Sequence, residues 1–297
     1  MKIKTFIISA ITLFISLYLI IGYHSLKHID KNRIDVSKYI TLVDEVSENK
    51  VQVNWKYVVS IIAVENKNKI KNISDDKIKN TANLFIEKSD NGYKLNSLDN
   101  VLNKLNFTDK EKERVNDYID QLKYFGLTPY RLKEDSNYTK FIEEIKDEAI
   151  KNYKEYKILP SITIAQSILE SSWGESDLAQ IYNNLFGIKA DSSWKGEYVT
   201  LETFEFYDTK IEDKFRVYSN KNQSIKDHAK FLVDNQRYKK YRVFEAKTYI
   251  EQANALQNAG YSTAEDNSGQ KRYAKDLIEL IRQYNLQLID SEIKISD

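Results

Sequence analysis

The sequence has no cysteine in 297 residues. That excludes a disulfide framework, a thiol nucleophile, a thiolate zinc site and a lipoprotein cysteine. Histidine is scarce too, with three in all, and His24 and His28 sit beside the first apolar run. Only His228 is left for the main body, where it reads as an ordinary helix residue. A histidine metal centre or a Ser-His-Asp triad is therefore poorly supplied, and neither metal nor cofactor is expected. Excess charge of one sign is also missing, with 45 basic against 44 acidic residues. Nucleic acid is accordingly not an expected partner. If the chain is a hydrolase, carboxylates must do the chemistry.

What is present begins with one long apolar run. "TFIISAITLFISLYLIIGY", Thr5 to Tyr23, is uncharged and, at about 1.5 Å per helical residue, long enough to cross a bilayer core. No small-residue cleavage site precedes "HSLKHIDKNR", so an uncleaved signal-anchor is expected in place of a signal peptide. Lys2 and Lys4 favour a cytoplasmic N-terminus, although Lys27, Lys31 and Arg33 follow on the other side.

The length suggests about two domains. From Val36 to Leu127 the periodicity is helical. Asn54, Ser97 and the Thr108/Glu111 pair precede apolar i, i+3, i+4 patterns, and Gly126 ends the last. No chemical constellation occurs there, and Glu65 in "SIIAVENKN" reads as structural. "GLTPYRLKEDSN" contains one of the two prolines and reads as a linker. A helix follows from Thr139 to about Tyr156. From Val199 to Ser219 the period changes to two, giving a β-hairpin with "YDTKIED" as its connection. Three helices close the chain: one capped by Ser224 with Asp227, one by Thr248 with Glu251 and ended by Gly260, and one from Arg272 to about Tyr284.

Between the linker and the hairpin lies "ITIAQSILESSWGES", Ile162 to Ser176. Ile164, Ala165, Ile168 and Leu169 would pack this helix into a core and leave Glu170 at its C-terminal end, one turn from Gln166 and Trp173. Partial burial beside an indole and helix C-terminal carbonyls disfavours the ionised carboxyl, as a general acid requires. "NNLFGIKA" and "SSWKG" then supply amides, aromatics and turns suited to sugars, through Asn184, Phe186, Gly187 and Trp194. Each has a plainer alternative: Trp173, Trp194 and Phe186 as core aromatics, Asn184 and Gly187 as turn formers. In "TFEF", Glu205 offers a second carboxyl across a cleft.

The motifs "AQSILESSWGESDLA", "NNLFGIKA", "WKG", "FRVYSN", "DHAKFL" and "QNAGYST…RYAKDL" occur in this order. Together they resemble the glucosaminidase domains of glycoside hydrolase family 73, over about Thr139 to Leu288. The anchored layout resembles the SagB-type cell-wall N-acetylglucosaminidases of that family. The resemblance implies a mainly α, lysozyme-like α+β catalytic domain with a small β-hairpin lobe beside a groove. It maps the general acid onto Glu170, the second carboxyl onto Glu205 and the family tyrosine onto Tyr261. Gln166, Trp173, Asn184, Phe186, Gly187 and Trp194 would bind substrate. "TFEF" has phenylalanine where the family has tyrosine, which leaves Glu202 as a competitor to Glu205, and the loop after Tyr261 departs from the family run.

The expected layout is an anchor over residues 1–24, a helical stem and linker over 25–137, and a glucosaminidase domain over 138–297. The expected function is peptidoglycan hydrolysis by an endo-β-N-acetylglucosaminidase outside the cell membrane, facing the cell wall. Its partners would be glycan strands, the membrane through Thr5–Tyr23, and room for another membrane protein there. Alternatives are lytic transglycosylase-like cleavage or a non-catalytic wall-binding scaffold. Sequence leaves open whether Glu205 activates water or the substrate's own N-acetyl group attacks.

Overall fold

The computed structural model describes residues 26–90, 92–205 and 209–293. They form two compact units that are not linear in sequence. The first holds 26–46, 53–87 and 96–125; the second holds 47–52, 88–95 and 126–293.

The first unit is built on helices α1 (Val36–Ser47), α2 (Trp55–Glu65), α3 (Asp75–Asn83), α4 (Leu98–Lys104) and α5 (Asp109–Gln121). Val58, Val59, Ile61, Ile62 and Ala63 of α2 are wholly buried, as expected of a helix that is apolar on nearly every face. Three of the local start signals hold. Asn54 accepts from Lys56 N–H, Ser97 accepts from Asn100 N–H, and Thr108 with Glu111 forms a reciprocal capping box. The expectation of helix throughout Val36–Leu127 is corrected by a short hairpin, β1 (Ile86–Ser89) and β2 (Gly92–Leu95). The Asn-Gly step at 91–92 is a hairpin-turn signal, and Gly92 has φ +124°.

The second unit contains α6 (Asn137–Tyr156), α7 (Pro160–Ser171), α8 (Asp177–Tyr182), strands β3 (Tyr198–Glu205) and β4 (Thr209–Arg216), then α9 (Lys221–Asp234), α10 (Gln236–Lys240), α11 (Tyr249–Asn258), α12 (Tyr273–Gln283) and α13 (Gln287–Ile293). The unit is thus mainly helical, with the two-stranded antiparallel hairpin β3–β4 besides β2 and the end of β1, which also fall within its bounds. The hairpin register runs from Tyr198 opposite Arg216 to Glu205 opposite Thr209. "TKIED", expected in the connection, is therefore strand; its charged residues obscured the alternation.

Two other expectations are corrected. Helix α9 starts at Lys221, capped by Asn220, whose side chain accepts from Gln223 N–H. Ser224 lies inside it, buried, and accepts from Leu185 N–H at 3.1 Å. Asp227 accepts from Arg216 and the Tyr218 hydroxyl, each at 2.7 Å, so it serves the hairpin's end and not a cap. The chain also closes with more helices than the three expected, since α10 and α13 are short and carry little periodicity.

Helix α7 is the centre of the unit. Residues Pro160 to Ile168 are all buried, packed by α6, α11, α12 and α13. Its N-terminus has no local side-chain cap: Leu159 cannot supply one, and Pro160 at the first turn lacks an N–H. The cap comes from α13. Asp290 accepts from Ser161 N–H at 3.0 Å and from Ser161 Oγ at 2.5 Å, and is itself 1% exposed. Among the described residues no helix is long and apolar enough to cross a membrane; the expected anchor, Thr5–Tyr23, lies outside them.

Replacing Asp290 leaves Ser161 N–H and Oγ–H without an acceptor in the core. Asp290→Ala should lower unfolding stability by about 1–3 kcal/mol, measurable by urea denaturation. A change within error would remove Asp290 from the capping role.

Candidate active site

Glu170 occupies the last turn of α7. The chain then reverses through three consecutive left-handed residues, Ser172 at φ +51°, Trp173 at +65° and Gly174 at +75°. Trp173 N–H bonds Ile168 O at 3.2 Å, and Gly174 N–H bonds Ser171 Oγ at 2.7 Å. Glycine is required at 174: a Cβ there would sit 2.7 Å from the Phe141 ring, besides the positive φ. This reversal stops the helix just past Glu170 and leaves its carboxyl facing a groove.

The groove has a volume of about 520 Å³ and is lined by Glu170, Phe186, Gly187, Arg216, Arg237 and Tyr261, among others. Cavities of similar size lie at Tyr39 (about 540 Å³) and at Lys157 (about 570 Å³). Neither combines a carboxyl of raised pKa with hydroxyl partners, so chemistry and not volume selects the groove.

Glu170 is exposed by surface area, yet enough protein atoms surround its carboxyl for burial to act on its charge. That crowding governs the proton, since it removes water from the charged form. Burial raises the Glu170 pKa above the ordinary carboxylate value, and a hydrogen bond from Tyr273 Oη at 3.2 Å opposes the rise. Tyr273 also accepts from Gln166 Nε2 at 2.9 Å. The Tyr261 ring stacks on Tyr273 with centroids 5.1 Å apart, and its hydroxyl lies 3.1 Å from His228 Nε2. Burial pushes both tyrosine hydroxyls well above their usual range. It pushes His228 down to about 3, so the imidazole is neutral near pH 7.

The groove thus brings together Glu170, Tyr261, Phe186 and Gly187, with Gln166 buried one step behind through Tyr273. Phe186 stacks on His228 at 3.9 Å and 7° while lining the groove. Asn184 is placed differently. It is buried, its amide donates to the Ile188 and Arg216 carbonyls, and its oxygen accepts from Ile188 N–H, so it shapes the turn. Trp173 does not line the groove; its ring packs among Tyr138, Phe141 and Tyr284. The indole expected to bury Glu170 is therefore elsewhere, and the crowding has other sources. Trp194 is half-buried beneath Arg216, 4.5 Å from its guanidinium, and donates to Glu197 O at 2.9 Å. It supports a groove residue without lining the groove. The backbone of Glu205 ends β3, and its side chain is not among those described.

Two residues at the site carry no functional signal in the sequence, Tyr273 and His228. Their motifs, "RYAKDL" and "DHAKFL", are visible, but 103 residues separate Tyr273 from Glu170. Only the fold joins them.

Residues 146–286 match the family described as mannosyl-glycoprotein endo-beta-N-acetylglucosaminidase. The chain belongs to the glucosaminidase family. The chain is 44% identical over 156 residues to the exo-glucosaminidase LytG of Bacillus subtilis, covering 50% of this chain and 52% of that protein. It is 37% identical over 131 residues to the peptidoglycan hydrolase FlgJ of Vibrio parahaemolyticus, covering 41% and 42% respectively. Among solved structures, the catalytic domain of the autolysin Auto from Listeria monocytogenes is 32% identical, with TM-score 0.46, covering 62% of this chain and 98% of that one. The chain spans about half the length of LytG and less of FlgJ.

A histidine whose pKa falls from 6.5 to about 3 on folding binds its proton more readily in the unfolded chain. Its contribution to stability is complete above pH 6.5 and is lost as pH falls toward 3. Between those values His228 should give wild-type stability a slope of up to about 1.4 kcal/mol per pH unit. Denaturant titrations at several pH values should show His228→Gln with a shallower slope over that window. Parallel slopes would mean that His228 is not the buried proton site.

Proposed function

We propose that this chain is a peptidoglycan hydrolase, an endo-β-N-acetylglucosaminidase that cleaves the β-1,4 bond between GlcNAc and MurNAc. The observation that carries the reading is Glu170: a carboxyl of raised pKa at a groove, held by Tyr273. With its pKa raised above the ordinary carboxylate value, it gives its proton to the glycosidic oxygen as the bond to the sugar's anomeric carbon breaks. Phe186 offers an apolar ring to a sugar face, and Tyr261 offers a hydroxyl beside the acid. Gly187 has φ +63°, and a Cβ placed there would meet no heavy atom within 4 Å, so a sugar can approach its backbone closely. The names of LytG and FlgJ support glycan hydrolysis of this kind.

On the far side of the oxocarbenium-like sugar we assign Glu205 as the carboxylate that activates water. Glu202 is the competitor, directly opposite Glu212 in the hairpin. The rival mechanism is attack by the substrate's own N-acetyl group, with no protein base. The LytG name specifies exo action, which makes product length the deciding quantity.

Glu170→Gln keeps the volume and removes the proton. Hydrolysis of purified sacculi should fall about 10²–10⁴-fold, with glycan binding retained. Mass spectrometry of borohydride-reduced wild-type products should show reduced GlcNAc ends on fragments of several disaccharides. Anhydro-sugar ends would favour a transglycosylase, single released sugars an exo enzyme, and bound sacculi with no products a scaffold. In the same assay Glu205→Gln should be crippled and Glu202→Gln active.

We further assign Thr5–Tyr23 as a signal-anchor, with the glucosaminidase segment outside the membrane, where such a substrate lies. The apolar, uncharged run without a cleavage site supports this, and a neighbouring membrane protein could contact it. Protease treatment of intact wall-less cells should remove the C-terminal unit and leave the Met1 end with the membrane. A protected C-terminal unit, or mature protein beginning after Tyr23, would overturn the assignment.

A further inference from the structure

The cations that line the groove differ in what holds them. Lys189 pairs with Asp213, and Arg216 with Asp227. Arg237 pairs with no carboxylate among the described residues. It is exposed, and neutral acceptors hold its guanidinium: Nη1 donates to the Gly260 carbonyl at 3.2 Å and Nη2 to the Tyr238 hydroxyl at 2.7 Å. Both anchors are well placed. Tyr238 is wholly buried, with the guanidinium carbon 4.7 Å from its ring centroid. Gly260, at φ +73°, closes α11 and leads into Tyr261.

Neutral acceptors orient a cation without cancelling its charge. An arginine carries five N–H donors in one plane, and the protein fills two of them here. The others remain for a ligand. A clamp on the Tyr261 turn accounts for the two bonds, but it needs neither a full charge nor a place in the groove lining. The acid Asp191, which also lines the groove, is taken up elsewhere. It accepts from Ser193 N–H at 2.8 Å and from the Ser193 hydroxyl at 2.5 Å, and Arg216 is among the charges acting on it.

The substrate proposed above supplies an acid on one of its two sugars. GlcNAc is neutral, whereas MurNAc carries a lactyl ether that ends in a carboxyl. That ether is on carbon 3, next to the carbon whose oxygen Glu170 protonates, so the acid lies a few bonds from the reacting centre. We propose that Arg237 is a specificity-determining residue: its guanidinium, held by Gly260 and Tyr238, binds a carboxylate of the muramyl side of the glycan and selects acidic strands over neutral ones. The inference rests on the peptidoglycan reading. A carboxylate fits the planar fork through two parallel N–H···O bonds. Where a stem peptide is attached, the lactyl carboxyl is an amide and the peptide's own carboxylates offer the same chemistry.

Recognition of that acid also sets the register of the strand. The sugars alternate along a β-1,4 polymer, and a groove that read only rings and acetamides would accept the strand shifted by one sugar. An acid on every second sugar meets Arg237 once in each disaccharide step. With MurNAc held on the leaving-group side, the bond brought to Glu170 is the one from GlcNAc to MurNAc and not the one from MurNAc to GlcNAc.

The test is binding by calorimetry to the full chain carrying Glu170→Gln, so that the ligands survive. The ligands are a GlcNAc–MurNAc tetrasaccharide with free lactyl carboxyls, the same with those carboxyls as primary amides, the same bearing stem peptides, and chitotetraose. The free acid should bind about tenfold more tightly than its amide or chitotetraose, a modest factor because the groove is open to solvent. Added salt should shrink that advantage. Adding Arg237→Gln should erase it and leave the neutral ligands unchanged. If the Arg237-dependent advantage belongs to the peptide-bearing ligand instead, the acid recognised is the peptide's. Equal losses on every ligand would make Arg237 a clamp on the Tyr261 turn and overturn the inference, as would no change at all. Lys239→Gln, on the same helix but outside the groove lining, should keep the preference; its loss there too would show diffuse charge and overturn the inference. If Arg237→Gln does not fold, Arg237→Lys keeps the charge without the fork; the advantage should fall severalfold, and an undiminished one counts against Arg237. A chain that binds none of these ligands fails the peptidoglycan reading itself, whereas equal binding of all of them leaves that reading standing and removes only the role of Arg237.

Discussion

The site depends on one helix that water hardly reaches. Helix α7 is buried from Pro160 to Ile168, so its axial position is fixed by close packing and by whatever satisfies its first N–H groups. A proline at the first turn and a leucine before it leave that task to Asp290. With that end held, the other end delivers Glu170 to the groove, and the reversal through Ser172, Trp173 and Gly174 stops the helix there. Two of those three left-handed residues are not glycine, a conformation that costs about 1–2 kcal/mol each. The surrounding aromatic cluster offsets it by burying the Trp173 ring among Tyr138, Phe141 and Tyr284.

Local signals were legible where chemistry is local. Asn54, Ser97 and Thr108 with Glu111 cap the helices they were expected to cap, because a cap joins groups two or three residues apart. Glu170 was legible because the downstream motifs made it specific; a carboxylate at the end of an apolar helix is a weak signal alone, since Glu65 ends α2 in the same way. Ser224 with Asp227 imitated a capping box inside a helix that had already begun, and both side chains answer to the loop and hairpin instead. Asp290, Tyr273 and His228 gave no local signal. Their partners lie 129, 103 and 33 residues away, respectively, so only the assembled unit reveals them.

Tryptophan shows the same limit from the other side. Trp173, three residues after the acid, invited the reading of an indole against a carboxyl. The left-handed turn carries that ring away into the aromatic cluster, and the hydroxyls beside Glu170 come from Tyr273 and Tyr261. Asn184 likewise has the chemistry to hold an acetamide, but both ends of its amide are taken by the turn it closes. Sequence identifies which functional groups are available; backbone conformation decides which of them remain free for a ligand.

The Asp290 cap also orders events in time. Ser161 and Asp290 are 129 residues apart, and at about 5–20 residues per second a ribosome needs several seconds to span that distance. During that interval the emerging α7 has its apolar faces but no acceptor for its first N–H groups, and the segment that becomes α12, with Tyr273, has not yet followed. Until position 290 has left the ribosome, α7 has neither its N-terminal cap nor, before position 273, the hydroxyl that bonds Glu170.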